Sequence, residues 1–176
     1  MNTEPPRYTT LRPLRDTDLE MVLCWRNAPE VRRYMYTQHA ISEAEHKAWF
    51  ARCRQDENKH LLLAQRGDEP FGFVNILVED PKTLRAKWGF YLAPDASRGS
   101  GRALGMAALS HAFGSLGLHK LWGEALAYNT RSISFHERLG FIQEARFRDH
   151  HFDGEKYHDV IGFGLLKSEW RSPNGA

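Results

Sequence analysis

The chain has 176 residues, of which 41% are hydrophobic and 26% charged, values typical of one globular domain. Its 24 basic and 22 acidic residues are interleaved and give a net charge of +2, which argues against a nucleic-acid-binding stripe. No apolar run approaches the roughly 20 residues that span a bilayer, and the N-terminus lacks the apolar core of a secretion signal. With only two cysteines and no disulfide framework, we expect a cytoplasmic protein.

Hydrophobic periodicity and turn residues divide the chain into alternating elements. Strands are predicted at 8–14 (an edge strand), 60–65, 70–80, 85–94, 118–127, 141–152 and 155–166. Helices are predicted at 16–27, 42–54, about 100–116 and 129–140, with a short turn or helix at 28–37. Ser42 and Glu45 form a capping-box pattern, and Asp153-Gly154 is the turn signal of a final hairpin. The order β-α-α-β-β-β-α-β-α-β-β predicts a mixed α/β domain whose helices cover a sheet.

A glycine-rich, basic loop precedes the third predicted helix. Arg98-Gly99-Ser100-Gly101-Arg102-Ala103 follows the strand GFYLAP and opens an amphipathic run. A helix start carries free N–H groups and partial positive charge, and glycines allow a ligand close to the backbone, so the loop suits a phosphate. It lacks the Gly-Lys-Ser/Thr ending of a nucleoside-triphosphate loop and the GxGxxG spacing of a dinucleotide fold.

Two signatures resemble those of the GNAT N-acetyltransferase family. Arg98, Gly101 and Ala103 match the pattern Arg/Gln-x-x-Gly-x-Gly/Ala, and the segment 129–141 is similar to the family's Asn-x-x-Ala/Ser-Ile-x-Leu/Phe-Tyr-x-x-x-Gly-Phe. The resemblance implies a twisted, mostly antiparallel sheet flanked by helices in a single domain, 1–176, and acetyl-CoA as the acetyl donor. It divides the domain into an acceptor-binding part at about 9–58 and a cofactor-binding core at about 60–165. The implied cofactor-binding residues are Phe90, Tyr91, Leu92, Arg98, Gly99, Ser100, Gly101, Arg102, Ala103, Asn129 and Ser132.

From about residue 9 to residue 170, the chain is similar to the acetyltransferases of pseudaminic acid synthesis, which serve flagellin glycosylation. The similarity is carried by the stretches CWRN, VRRYMY, WGFY and SISFHERLGF. It implies acetylation of the 4-amino group of a UDP-linked 4-amino-4,6-dideoxy sugar. Aromatic, thioether and cationic side chains suit a nucleobase and a diphosphate, and the candidate acceptor-binding residues are Arg26, Met35, Tyr36, His46 and Tyr91.

Two ionisable residues are candidates for the acid–base chemistry of acetyl transfer. Strand alternation places Glu124 on one face with Trp122 and Leu126, where a carboxylate among apolar neighbours suits a general base. His136 stands where the family usually has a tyrosine that is often proposed to protonate the departing thiolate, and an imidazole can also give a proton near neutral pH. Each residue also has a structural alternative. Glu124 could pair with an arginine at the end of its strand, and His136 could serve only in packing.

Other functions also remain open. An enzyme of the same fold could acetylate a protein N-terminus, a polyamine or another small amine, and a non-catalytic CoA- or nucleotide-binding module is a third interpretation. We expect no metal, because His150 and His151 would point to opposite faces of an exposed hairpin. Cys24 and Cys53 are expected to be small buried hydrophobes. No nucleic-acid or membrane partner is expected, and a homodimer is possible.

Overall fold

The computed structural model describes residues 8–171, so the predicted domain 1–176 extends past the described residues at both ends. Seven strands form one sheet, as predicted. They are β1 (Thr9–Pro13), β2 (Lys59–Arg66), β3 (Glu69–Asp80), β4 (Arg85–Leu92), β5 (Lys120–Leu126), β6 (Ile142–Phe152) and β7 (Tyr157–Leu166). The α-helices are α1 (Leu19–Asn27), α2 (Pro29–Arg32), α3 (Glu43–Cys53), α4 (Ser100–Ser110) and α5 (Thr130–Arg138). None of these helices is long and apolar enough to cross a membrane.

The strands follow the order β1-β2-β3-β4-β5-β7-β6, which confirms a mixed, mostly antiparallel sheet with β1 at an edge. The one parallel pairing among them joins β4 to β5, and it covers only Arg85 to Lys87 against Lys120 to Trp122. Beyond that point the two strands separate. The sheet is therefore split in its middle, and β4 is left with an unpaired edge from Trp88 onward.

Two hydrophobic cores pack on the sheet, one on each face. The larger core joins α4 and α5 to the sheet through fully buried residues such as Leu104, Phe113 and Phe163. The smaller core packs α1 and α3 against β2 and β3 and includes Trp25 and Phe50. Because each face has its own helices, the split between β4 and β5 is a passage between two helical layers.

The helical segments follow the predicted ones except at the start of α1. The segment after residue 28 forms a complete short helix, α2, which makes three helices before β2. Helix α1 begins only after a 3-10 turn at Asp16–Asp18, because the Asp18 carboxylate binds Arg12 at 2.6 Å instead of capping the helix. Helix α4 continues into one π-helical turn, His111–Ser115, which accounts for its predicted extent to about residue 116.

Two predictions that depend only on neighbouring residues, the capping box of α3 and the glycine that ends α5, are confirmed. The capping box is confirmed, since the Ser42 N–H donates to the Glu45 carboxylate at 2.8 Å and the Glu45 N–H donates to Ser42 Oγ at 3.2 Å. Gly140 ends α5 with φ of +92°, a value that favours glycine. Of the two cysteines expected to be buried, Cys53 is, but Cys24 is exposed, which corrects that expectation.

Candidate active site

A cavity of about 730 Å³ fills the split between β4 and β5, and we call it the cleft. One end is formed by the start of α4, and the other by the segment after α2. Residues from β3, β4, β5, α4 and α5 line it, so that the cleft draws on both halves of the chain. They include Asn75, Lys87, Trp88, Phe90, Leu92, Gly99, Gly101, Arg102, Glu124, Asn129, Ser132 and His136.

The start of α4 carries two backbone amides without partners, at the place where the glycine-rich loop predicts an anion site. Gly99 has φ of +88° and turns the chain into the helix. The Ser100 N–H is used by Ser97, but the N–H groups of Gly101 and Arg102 have no hydrogen-bond partner within residues 8–171. Free amides at a helix start attract phosphate, and these two belong to residues that line the cleft.

Of the remaining eight cofactor candidates, five line the cleft and three do not. Phe90, Tyr91 and Leu92 lie on the stretch of β4 that β5 leaves unpaired, so their strand edge can bond an extended ligand. Asn129 and Ser132 also line the cleft, and Asn129 Oδ1 caps α5 by accepting the Ser132 N–H at 3.1 Å. Three others are not among the residues that line the cleft: Arg98 is exposed, Ser100 is buried against Ser97, and Ala103 packs on the larger core.

Glu124 is anchored through one of its two carboxylate oxygens. Lys87 Nζ lies 2.8 Å from Oε2, and the Tyr36 hydroxyl donates to the same oxygen at 2.9 Å. No hydrogen bond reaches Oε1 from the described part of the chain. Lys87 also lies over the Trp122 ring, which shows that Trp122 and Glu124 share a face of β5, as predicted.

Tyr36 acts as a donor in this arrangement because its hydroxyl keeps its proton. Partial burial and the adjacent Glu124 carboxylate raise the pKa of Tyr36 well above its ordinary value. A protonated phenol beside a carboxylate donates its hydrogen and stabilises the negative charge. The carboxylate therefore has two fixed donors, one cationic and one neutral.

His136 is buried at the base of the cleft with only 1% of its surface exposed. Its Nδ1 donates to the Ser132 carbonyl at 2.8 Å, which leaves Nε2 without a hydrogen in the neutral ring. Burial lowers the pKa of His136, although the Ser132 hydrogen bond opposes this. Nε2 is buried with no partner within 8–171, and it and the Trp88 indole N–H both face Gly123.

The five acceptor candidates do not all meet at the cleft. Met35, Tyr36 and Tyr91 line it, but Arg26 and His46 are not among its lining residues. Arg26 donates to the Thr37 carbonyl at 3.2 Å, and His46 stacks on Trp49 with ring centres 5.1 Å apart. Arg26 therefore supports the segment that carries Tyr36, whereas His46 packs within α3.

Sequence reasoning missed three residues of this region. Lys87 and Trp88 lie on β4, and no sequence motif predicted a role for them in the site. Only the pairing of distant strands brings them to Glu124 and His136. His151 was expected on an exposed hairpin, but it is 8% exposed and packs on Tyr36, so that expectation is wrong for this residue. Within the described residues, no group of three or more His, Cys, Asp or Glu side chains could hold a metal ion.

Comparison with known proteins decides the family. The profile of the acetyltransferase (GNAT) domain matches residues 9–142, which is most of the chain. The chain belongs to the GNAT acetyltransferase family. It is thus an acetyl-CoA-dependent N-acetyltransferase, and the free amides of α4 and the unpaired edge of β4 fit that donor.

Individual relatives of this GNAT acetyltransferase are distant. Acetyltransferase PseH of Campylobacter jejuni is 27% identical over 131 residues, 73% of this chain and 79% of PseH. Spermidine N(1)-acetyltransferase of Vibrio cholerae is 23% identical over 163 residues, 92% of this chain and 94% of that protein. A crystal structure of the Vibrio cholerae spermidine N-acetyltransferase with CoA and spermine superposes with a TM-score of 0.85. It covers 92% of this chain and 96% of its own at 23% identity, and this likeness concerns the fold.

Proposed function

We propose that this GNAT enzyme transfers acetyl from acetyl-CoA to the 4-amino group of a UDP-linked 4-amino-4,6-dideoxy sugar, the reaction of pseudaminic acid synthesis. The resemblance over about residues 9–170 and the 27% identity with PseH support this acceptor. The observation that carries the proposed chemistry is the Glu124 carboxylate, held at the cleft through Oε2 while Oε1 has no bonded partner in the described chain. The cytoplasmic location is part of the same proposal.

The proposed reaction is a direct attack within a ternary complex, with no enzyme nucleophile. The amine nitrogen forms a bond to the thioester carbon, the carbon–sulfur bond breaks, and Glu124 takes the proton that the nitrogen loses. Holding both reactants in one cleft lowers the entropic barrier of such a step. Phe90 to Leu92 bond the extended arm of the donor, and the amides of Gly101 and Arg102 bind its diphosphate.

His136 is the proposed proton donor for the departing sulfur. The role requires a proton on Nε2, because the Nδ1 proton is held by the Ser132 carbonyl. Burial opposes that protonation and lowers the pKa of the ring. In the proposed step the ring takes a proton from solvent before the carbon–sulfur bond breaks, gives it from Nε2 to the departing sulfur, and returns to its neutral form. This demand makes His136 the residue of the proposal that most needs a kinetic test.

The charge at the acceptor end of the cleft favours a nucleotide sugar. The Glu124 charge is offset by Lys87, so it offers little net attraction to a polycation. A shallow depression of about 570 Å³ on the hairpin side is lined by Arg33 and Lys156, and its Asp153 carboxylate is paired with His158 at 2.5 Å. The Arg33 and Lys156 cations of this depression suit an acceptor that carries phosphate.

A polyamine is the second candidate acceptor. Glu30 of α2 lines the cleft and Glu155 lines the depression, so two further carboxylates stand where a second ammonium could lie. The full-length similarity to a spermidine N(1)-acetyltransferase supports the same acceptor. The two candidate acceptors differ in the sign of their charge, since the nucleotide sugar carries phosphate and the polyamine carries only ammonium groups.

Release of the CoA thiol distinguishes these acceptors. Acetyl-CoA would be offered with the UDP-linked 4-amino sugar, with spermidine or with a peptide that has a free N-terminus, each over a range of concentrations. We expect saturable release with the sugar and none above background with the others. Saturation by spermidine alone or by the peptide alone would replace the proposed acceptor, and release with none of them would mean that the acceptor is a different amine.

Tyr36→Ala supplies a second measurement on the acceptor. We expect the KM for the nucleotide sugar to rise about tenfold or more while the KM for acetyl-CoA stays within about twofold. The matched control is Tyr8→Ala, an exposed tyrosine that does not line the cleft. An unchanged KM for the sugar in Tyr36→Ala would direct the search for the acceptor to a different pocket.

A further inference from the structure

His151 is the one buried residue of the edge strand β6. The other ten residues of the strand are exposed or half-buried, whereas His151 is 8% exposed. Its Nε2 is shielded from solvent and has no hydrogen-bond partner in the described residues. A buried imidazole without a polar partner has lost hydration, so its placement needs a contact that compensates.

A bulge in β6 turns His151 inward. Phe147 pairs with Val160 and His151 with His158, so three residues of β6 face a single residue of β7. Within the bulge, Asp149 adopts a φ of +49°, and its N–H donates to the Asp159 carboxylate at 3.0 Å. The same carboxylate binds Arg146 at 2.6 Å, which fixes the bulge from both sides.

The inward ring packs against Tyr36. The two ring centres are 5.1 Å apart with the planes 62° from parallel, an edge-to-face contact. Tyr36 lies on the segment between α2 and α3, is 49% exposed and reaches Glu124 with its hydroxyl. A half-exposed side chain of this kind keeps one rotamer only if a fixed surface supports it.

Both donors to Glu124 bind the same oxygen. The Tyr36 hydroxyl and Lys87 Nζ meet at Oε2, and this shared anchoring orients the carboxylate plane. Oε1 has no partner among residues 8–171 and belongs to a side chain that lines the cleft. The direction of the free oxygen therefore depends on the position of Tyr36, and through Tyr36 on His151.

We propose that His151 is a positioning residue for the catalytic base: its ring holds Tyr36 so that the Tyr36 hydroxyl fixes Glu124 Oε2 and leaves Oε1 to take the amine proton. This inference rests on the proposed role of Glu124. His151 touches neither acetyl-CoA nor the acceptor in this scheme. Its effect on turnover passes entirely through the Tyr36 hydroxyl.

The test is a double-mutant cycle between His151 and Tyr36, with kcat and both KM values measured on the UDP-linked 4-amino sugar, or on spermidine if that is the accepted amine. Tyr36→Phe keeps the ring contact and removes the hydroxyl. We expect His151→Ala to lower kcat about tenfold in the wild-type background and less than twofold in the Tyr36→Phe background. His151→Phe keeps the edge-to-face contact and should restore most of kcat.

Three controls separate positioning from loss of structure. His150→Ala removes the exposed neighbouring histidine of the same strand and should leave kcat unchanged. Calorimetric titration should give unchanged acetyl-CoA affinity for His151→Ala, and its melting temperature should lie above the assay temperature. A crystal structure of His151→Ala should show the Tyr36 hydroxyl more than about 3.5 Å from Glu124, beyond hydrogen-bond distance.

Each outcome supports or overturns the inference. An equal loss in both backgrounds, or no rescue by His151→Phe, assigns His151 to general stability and overturns it. An unchanged kcat in His151→Ala, with kcat lowered in Tyr36→Phe, overturns it while the role of Glu124 survives. If Glu124→Gln keeps wild-type turnover, the proposed base itself fails, a result distinct from either.

Discussion

Lys87 Nζ on β4 lies 2.8 Å from Glu124 Oε2 on β5, at the point where the two strands separate. Lys87 is the last residue of β4 that pairs with β5, so the ion pair closes the base of the split. The side chain of Glu124 is only 14% exposed and that of Lys87 is 36% exposed, so the ion pair is partly shielded from solvent. A charged carboxylate at the cleft is what a general base for acetyl transfer requires.

Glu124→Gln should therefore lower kcat by about a hundredfold or more, since it keeps the shape and removes the proton acceptor. Acetyl-CoA affinity, measured by calorimetric titration, should be unchanged. Glu137→Gln is the matched control, because Glu137 is an exposed glutamate of α5. Wild-type turnover in Glu124→Gln would remove this residue from the mechanism.

His136 should reveal its role through two substitutions. If the ring protonates the departing sulfur, His136→Phe slows thiol release about tenfold or more, and His136→Tyr retains activity because a phenol can also donate. Stopped-flow detection of the thiol measures both. Equal rates of thiol release in wild type and His136→Phe would assign His136 a packing role, in which its ring stacks on Phe163.

Gly101→Glu should abolish acetyl-CoA binding by bulk and like charge. Gly101 lines the cleft at the start of α4, and a carboxylate there would repel a diphosphate. We expect affinity to fall at least about a hundredfold in calorimetric titration. Gly114→Glu introduces the same charge at an exposed position of the π-helical turn and should bind acetyl-CoA normally. Unchanged affinity in Gly101→Glu would contradict the anion site.

Gly123→Ala should destabilise the fold because the added methyl has no room. A Cβ at Gly123 would stand 2.7 Å from the Trp88 indole, a rigid ring stacked on Phe141 at 5.4 Å. We expect a loss of about 1–3 kcal/mol in the free energy of unfolding, measured by urea denaturation. Gly89→Ala, where nothing lies within 4 Å of the new methyl, is the control for stability. A fully stable Gly123→Ala would mean that Trp88 moves freely.

Stability should fall as the pH drops below about 6.5, the ordinary pKa of histidine. Burial lowers the pKa of each of four histidines, His46, His60, His111 and His136. Between their folded and unfolded pKa values the unfolded chain binds more protons, so the free energy of unfolding rises with pH and levels off above that range. Urea unfolding from pH 5 to 8 measures this, and His136→Phe should flatten the slope. A flat profile in the wild type would contradict it.

The sequence by itself determined the elements, the family and the residues that lie close together along the chain. The capping box of Ser42 and Glu45, the glycine-rich start of α4 and the Asn129 cap are local, because each needs only neighbouring residues. Strand alternation likewise placed Glu124 and Trp122 on one face of β5.

Tertiary structure alone decided which distant groups meet at the cleft. The Tyr36 hydroxyl donates a hydrogen bond to Glu124, which lies 88 positions later in the sequence. No sequence pattern in either segment predicts that contact. The bulge that buries His151 depends on Asp159 of the neighbouring strand, which overrode the simple alternation expected of an exposed hairpin. Local propensities specify periodicity and caps, whereas register and the direction of a side chain follow from the packing of strands that the chain brings together only on folding.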